Sequence, residues 1–222
     1  MKKALFCWSG GKDSAFALRE MMSSGEYTIV SLITAVTKEY DRISMHGVRR
    51  ELLEMQAASI GLPLEIVWIE KGSSNDDYDS RMKDVLLKYK KQRVNLVAFG
   101  DLFLEDIRKY REERLASVKM KGIFPLWGRK TATLAHDFIR AGFKSLITSV
   151  DTQQLDQSFC GREYNAQFIA DLPKNVDPCG ENGEFHSFVY DGSIFKKPIV
   201  FQRGEKMTRD ERFRFCDLVF QK

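Results

Sequence analysis

The sequence predicts an α/β protein: a doubly wound, mostly parallel five-stranded sheet followed by a small β-rich C-terminal region. Short apolar runs alternate with longer amphipathic stretches through the first two thirds of the chain, and this alternation predicts the sheet. Beyond residue 151 the sequence becomes rich in Gln, Asp, Gly and Pro, and strand patterns follow. We therefore expect an α/β domain over residues 1–150 and a smaller region over 151–222.

Glycine and proline mark several element ends. Gly25 follows the first predicted helix, Gly61 and Pro63 separate the second helix from the third strand, and Gly142 follows the fifth helix. The predicted strands of the sheet cover residues 4–8, 28–36, 64–69, 94–99 and 145–150, and the predicted helices cover 14–23, 48–60, 77–91, 104–119 and 131–141. In the C-terminal region, a helix is predicted at 163–172 and strands at 184–190, 198–202 and 212–220.

The composition excludes several classes of protein. With 222 residues, 43% of them hydrophobic, the chain is long enough to bury a sizeable core and is unlike a disordered chain. The net charge of +4 comes from cations spread along the chain, which is compatible with anion binding and does not favour a nucleic acid.

The cysteines and the N-terminus bear on location. The four cysteines form no C-x-x-C pair, so the spacing of a zinc knuckle or a dithiol site is absent, and free thiols in a reducing compartment are expected. The first apolar run has only five residues, 4–8, too few for a signal-peptide core or a membrane span. We expect a cytoplasmic protein that does not enter a membrane.

The most informative motif is S-G-G-K-D-S, which lies between the first predicted strand and the first predicted helix. Two adjacent glycines allow a sharp turn, and the following helix N-terminus offers free N–H groups to an anion. The flanking serines add hydroxyl donors, the lysine adds a cation, and the aspartate can hold a metal. The motif therefore predicts a phosphate site at Ser9, Gly10, Gly11, Lys12, Asp13 and Ser14.

This hexapeptide resembles the PP-loop of the ATP pyrophosphatases, the superfamily of adenine nucleotide alpha hydrolases. The resemblance implies that the loop holds the pyrophosphate end of ATP and that cleavage falls between the α and β phosphates. An acceptor is thereby adenylated, and a nucleophile then attacks it.

Further motifs narrow the resemblance. They are S-M-H-G-V-R at 44–49, G-D-L-F at 100–103, Y-R-E-E-R at 110–114, P-L-W at 125–127 and D-P-C-G-E-N-G-E-F-H-S-F at 177–188. Because ligands bind at the carboxyl ends of parallel strands, the loop, His46, Gly100 and Asp101 should converge on one crevice. Taken together, these motifs resemble the diphthine-ammonia ligase family and its bacterial relatives over nearly the full chain.

The resemblance implies ATP-dependent amide synthesis with Mg²⁺. A substrate carboxylate is adenylated, pyrophosphate leaves, and ammonia displaces AMP. In archaeal and eukaryotic members the carboxylate belongs to diphthine on an elongation factor. Two features depart from that pattern: Lys130 stands where an acidic residue is expected, and the Glu184-Phe185-His186 form resembles the bacterial branch, whose acceptor would be different.

Site residues are assigned from position and chemistry. Asp13 is expected to be the Mg²⁺ ligand in preference to a helix cap. Asp101 either acts in catalysis or caps the helix near Leu104. His46 either contacts the α-phosphate or ribose or is a solvated loop residue. Adenine is expected along backbone at Thr34, Ala35 and Val36.

The 177–187 segment is expected to shape the acceptor pocket. Lys12, Asp13, His46, Asp101, Glu184 and His186 form the expected catalytic set, with His186 binding the acceptor or positioning ammonia.

Two other functions fit parts of the sequence. A tRNA-modifying PP-loop enzyme would require cysteine pairs or a basic appended domain, and neither is visible. A non-catalytic adenine-nucleotide sensor would keep the fold, although the intact Lys12 and Asp13 disfavour it. The partners expected are ATP, ammonia and a carboxylate acceptor, and homodimerisation is left open.

Overall fold

The computed structural model describes residues 1–43 and 46–221, and it contains two sheets. The first is parallel and five-stranded, with strand order β3-β2-β1-β4-β5. Its strands are β1 Lys2–Cys7, β2 Tyr27–Thr37, β3 Leu64–Ile69, β4 Leu96–Ala98 and β5 Lys121–Ile123. The helices are α1 Lys12–Ser24, α2 Arg50–Ile60, α3 Asn75–Lys90, α4 Glu105–Ser117, α5 Thr131–Arg140 and α6 Ala166–Asp171. The expected doubly wound α/β fold is confirmed.

The second sheet is antiparallel, with order β7-β6-β9-β8, and it confirms the expected β-rich C-terminal region. Its strands are β6 Lys144–Asp151, β7 Phe185–Asp191, β8 Phe201–Arg209 and β9 Phe213–Phe220. The division of the chain at residue 150 stays a prediction, although β6 itself lies within this second sheet.

The assignment of residues 145–150 to the parallel sheet was wrong. That strand is β6. Its sequence has the pattern of a parallel strand because all of its residues but the first are buried. The fifth parallel strand is β5, whose three residues Lys-Gly-Ile contain no apolar run and gave no strand signal. The predicted strand at 198–202 overlaps only the first two residues of β8, which continues to Arg209. The rest of β8 gave no strand signal because it is largely exposed and charged.

Local sequence explains where several helices begin and end. Gly25 and Gly61 end α1 and α2 in the left-handed conformation, with φ of 67° and 85°. Ser74 caps α3, accepting from the Asp77 N–H at 3.1 Å, while the Asp77 carboxylate accepts from the Ser74 N–H at 3.2 Å. Within the described residues, no helix has the length and apolar character that crossing a bilayer requires.

One hydrophobic core joins the two sheets. It runs from Phe6 and Leu18 through Leu52 of α2 to Leu146 and Phe188 of the second sheet, and all five are fully buried. A separate cluster on the other face of the parallel sheet packs against α3 and α4. The second sheet is therefore held against the side of the parallel sheet that carries α1 and α2.

Gln56 of α2 is a polar link inside this shared core, with no solvent exposure. Its Nε2 donates to the Gly10 carbonyl at 3.0 Å and to the Val189 carbonyl at 2.6 Å. Its Oε1 accepts from the Trp8 indole N–H at 2.9 Å. One side chain thus connects Trp8, which follows β1, with β7 and with the loop of residues 9–14, called the glycine loop below.

Replacing Gln56 with Leu should lower the free energy of unfolding by about 3 kcal/mol, because buried polar groups on three segments lose their partner. Urea unfolding followed by tryptophan fluorescence measures this change. Gln92→Leu is the matched control, since Gln92 is exposed and should shift stability by about 0.5 kcal/mol or less. Equal stability of the two variants would contradict the assigned role of Gln56.

Candidate functional site

The predicted site residues converge on one cleft of about 1040 Å³ at the carboxyl ends of the parallel strands. The cleft is bounded on one side by the glycine loop and β2, and on the other by the segment that precedes β7. The predicted residues that line it are Ser9, Gly11, Lys12, Asp13, Ser14, Thr34, Ala35, His46, Gly100, Asp101 and His186. Ser44 and Met45 of the predicted motif lie outside the described residues.

The glycine loop is closely packed. Gly10 has a φ of 76°, and a Cβ at Gly11 would lie 2.9 Å from His46 Cε1 and 3.1 Å from the Ser187 carbonyl. Ser9 Oγ accepts from the Gly11 N–H at 3.2 Å and lies 3.0 Å from Ser14 Oγ. Glycine is therefore required at both positions, one by conformation and one by space.

Gly100 lets β4 approach the start of α1. A Cβ at Gly100 would lie 2.9 Å from both the Asp13 carbonyl carbon and the Ser14 nitrogen. Both atoms are backbone, so they cannot move without displacing the helix N-terminus. Gly100, which was predicted to line the site, thus also allows β4 to pack closely against the N-terminus of α1.

Lys12 is almost completely buried and is shared between the two sheets. Its Nζ donates to Asp13 Oδ2 at 2.7 Å and to the Cys179 carbonyl, and it lies 5.4 Å from the centre of the Phe185 ring. Burial lowers the pKa of Lys12, but the nearby acidic groups, Asp13 foremost, more than offset this and raise it overall. The ammonium therefore stays charged.

The Asp13 carboxylate is available for a ligand. The side chain is 26% exposed and faces the cleft, and α1 has no side-chain cap, so Asp13 is not used as one. Within residues 1–43 and 46–221, no group of three or more acidic, Cys or His side chains could hold a metal. One carboxylate nonetheless fits Mg²⁺, which commonly keeps its water and takes phosphate oxygens as ligands.

The His46 and His186 rings pack against each other beside the loop, tilted by 32°. Their ring centres are 4.5 Å apart, and His46 Nδ1 lies 3.3 Å from the Ser187 carbonyl. Burial lowers the pKa of His46 to about 4, and burial together with the neighbouring charges holds the pKa of His186 well below its usual range. Both rings are neutral at physiological pH, and neither is a solvated loop side chain.

Asp101 lies at the cleft and forms an ion pair, with Oδ2 2.7 Å from Arg111 Nε. It does not cap α4, because that helix begins after Leu104 without a side-chain cap. The Arg111 guanidinium lies 4.5 Å from the centre of the Phe99 ring. Asp101 is thus a positioned carboxylate whose charge is balanced by Arg111.

Two predicted side chains do not face the cleft. Glu184 is buried and accepts hydrogen bonds from its own loop: from the Asp177 N–H at 2.9 Å, the Asn182 N–H at 3.0 Å and the Asn182 amide at 3.1 Å. Val36 is fully buried in the core. Glu184 therefore stabilises the 177–184 turn, and Val36 packs in the hydrophobic core.

The structure also places Glu181 at the cleft, a residue that the sequence reasoning left out of its catalytic set. Its Oε1 accepts from the Leu102 N–H at 2.8 Å. Burial, more than the nearby negative charges, raises the pKa of Glu181 to about 7. Both glutamates lie in the 177–188 motif, and only the turn geometry shows that Glu181 faces the cleft and Glu184 does not.

A doubly wound sheet with a glycine-rich anion loop after its first strand is typical of nucleotide-binding α/β proteins. The chain belongs, more particularly, to the diphthamide synthase family. Residues 1–121 match the profile of the diphthamide synthase N-terminal domain, and residues 130–218 match that of the C-terminal domain.

Curated relatives agree with this family. The chain is 27% identical to a diphthine–ammonia ligase of Danio rerio, over 91% of this chain and 88% of the relative. It is 24% identical to the diphthine–ammonia ligase of Homo sapiens, over 89% and 82% respectively. This chain is thus an ATP-dependent ligase by family.

A solved structure described as a predicted subunit of tRNA methyltransferase, from Methanocaldococcus jannaschii, covers 72% of this chain and 84% of its own. It is 16% identical with a TM-score of 0.39, a likeness too low to carry an argument about function.

The histidine pair gives a pH prediction. His46 should remain a neutral imidazole down to about pH 4, and the pKa of His186 should also lie well below its usual range. Unfolding exposes rings with the usual pKa of about 6.5, so the free energy of unfolding should fall as pH drops below that value. Nitrogen-15 NMR of the side chains, with the exposed His136 for comparison, measures the titrations. Imidazolium signals from His46 or His186 at pH 6 would contradict the burial argument.

Proposed function

We propose that this chain is an ATP-dependent amide ligase that adenylates a substrate carboxylate and transfers ammonia to it. The observation that carries this proposal is the glycine loop with Lys12 and Asp13, which opens into a cleft of about 1040 Å³ completed by the 179–187 segment. The diphthine–ammonia ligase name of the relatives supplies the ammonia and carboxylate chemistry. The acceptor of this chain is a carboxylic acid.

The first step is attack of the acceptor carboxylate on the α-phosphate of ATP, with pyrophosphate as the leaving group. The N–H groups at the α1 N-terminus offer donors to the phosphates, and the Lys12 ammonium offsets charge on the departing pyrophosphate. Adenine extends along Thr34 and Ala35. Asp13 would hold Mg²⁺, which would offset the negative charge of the phosphates.

Placing Lys12 on the phosphates requires a change of partners. In the structure its ammonium is directed at the Cys179 carbonyl and at Asp13. If Asp13 held a metal ion instead, the Lys12 ammonium would lose this partner and would be available to phosphate oxygens. Lys12 and Asp13 would then act together as a clamp for the phosphates.

The second step is attack of ammonia on the acyl-adenylate. The ammonia nitrogen bonds to the acyl carbon, the carbon–oxygen bond to AMP breaks, and one ammonia proton must leave. Glu181 accepts that proton, because its carboxylate faces the cleft and has a pKa of about 7. The neutral His46 and His186 rings can donate or accept hydrogen bonds there without adding charge.

The products test the reaction type. Incubation with α-labelled ATP, Mg²⁺, ammonium and a panel of carboxylic acids should release AMP and pyrophosphate in equal amounts. Lys12→Met should reduce turnover by about a hundredfold or more, since a charged phosphate ligand is lost. Lys83→Met, which removes an exposed lysine, is the control. ADP and phosphate as products would overturn the proposal.

Glu181→Gln should remove the base. With the natural residue, amide formation should rise through about pH 7, because Glu181 acts in its ionised form and is protonated below its pKa. The variant should lose that rise and about a hundredfold in rate. The histidines cannot produce this step, since the pKa of His46 is about 4 and that of His186 is well below its usual range.

Glu112→Gln, which removes an exposed carboxylate paired with Arg108, is the matched control. An unchanged pH profile in Glu181→Gln would remove the base assignment.

A further inference from the structure

A second cavity, of about 660 Å³, adjoins the nucleotide cleft. The two share five lining residues, Ile43, Ile69, Asn75, Tyr78 and His186, so they lie side by side. The second cavity lies between the end of β3 and the β8–β9 turn. The loop, adenine path and metal ligand all lie in the first cavity, so the nucleotide leaves the second one free.

Arg209 is the best-positioned charge in the second cavity. Its guanidinium lies 5.5 Å from the centre of the Tyr40 ring and 5.3 Å from that of Phe215. Its one hydrogen bond among the described residues goes to the Met207 sulfur at 3.7 Å, and no carboxylate lies within 4 Å. A guanidinium packed on aromatic faces keeps its in-plane donors available for a carboxylate.

Lys71 adds a second cation on the same ring, with its Nζ 5.5 Å from the centre of Tyr40. Tyr40, and to a smaller extent Glu39 and Asp210, raise the pKa of Lys71, although no carboxylate forms an ion pair with it among the described residues. The other charged side chains that line the cavity are either paired or exposed. Arg42 is neutralised by Asp217 at 2.7 Å, and Glu70 pairs with Arg81 at 3.4 Å. Asp210 is exposed on the β8–β9 turn. The cations left without an ion pair therefore favour an anion.

Phe215 separates this anion site from the reaction centre. A Cβ added at Gly47 would lie 2.7 Å from Phe215 Cδ1, so the ring packs directly on the loop that carries His46. Arg209 packs on that same ring, and it lines the second cavity and not the nucleotide cleft. A group bound by Arg209 therefore lies outside the cleft where ATP would be attacked.

We propose that the second cavity binds the acceptor as a small carboxylic acid that carries a second anionic group. The second group is held by Arg209 and Lys71, a flat or apolar middle packs among Tyr40, Phe213 and Phe215, and the reacting carboxylate passes His186 into the nucleotide cleft. This inference rests on the proposed function for the reaction, and it adds the substrate class and the residues that select it.

Binding of matched pairs of small carboxylic acids tests the proposal directly. The dianions adipate and 4-carboxyphenylacetate are compared with the monoanions hexanoate and phenylacetate by ligand-observed NMR, with ATP affinity measured in parallel. At least one dianion should bind with a dissociation constant of about 10 mM or tighter, and its matched monoanion about tenfold more weakly.

Arg209→Gln should weaken dianion binding about tenfold and leave monoanion and ATP binding within about twofold. Arg203→Gln, on the same strand but paired with Glu163 at 2.8 Å, is the matched control and should leave all four probes unchanged. Lys71→Gln should weaken dianion binding in the same direction as Arg209→Gln.

The inference is overturned if no dianion binds, if dianions and monoanions bind equally, or if Arg209→Gln leaves dianion binding intact. Since ATP binding and the release of AMP and pyrophosphate are measured separately, each of these results can occur while the proposed ligase reaction stands. Loss of ATP binding in the unaltered protein would instead remove the reaction itself.

Discussion

The attachment of the glycine loop to the second sheet is the constraint on which the rest of the structure depends. The Lys12 N–H donates to Ser187 Oγ at 3.1 Å, and the Val189 N–H donates to the Gly10 carbonyl at 2.9 Å. The Lys12 ammonium reaches the Cys179 carbonyl on the same side. The glycine loop thus connects the two sheets, and its conformation depends on contacts with both.

This join explains why buried polar groups are tolerated near the cleft. Gln56 and Lys12 form hydrogen bonds to different segments, and Glu184 forms them within its own turn, so the desolvation of all three is offset. Glu181 and the histidine pair are partly buried at the cleft, and their pKa values are shifted. Burial is the main cause of both shifts: it raises the pKa of Glu181 to about 7 and keeps the two imidazole rings uncharged.

The sequence was sufficient for features governed by local rules. The turn at Gly10 and the position of Gly100 after β4 follow from strand–loop–helix patterning, and the same patterning is the basis for expecting an anion site at the start of α1. The sequence could not reveal that β6 joins the second sheet, because a strand buried on both faces looks alike in either sheet. The packing of His46 against His186 also escaped the sequence, because the two residues are far apart in the chain. Which of Glu181 and Glu184 faces the cleft depends on a turn that is visible only in the structure.

The most direct test of this account is hydrogen exchange with and without ATP and Mg²⁺. If one site is built from both sheets, nucleotide should slow exchange in the peptides that cover 9–14 and, together with them, in those that cover 177–189. Protection confined to residues 9–14 and α1, with 177–189 unchanged, would contradict the claim that the second sheet completes the nucleotide site.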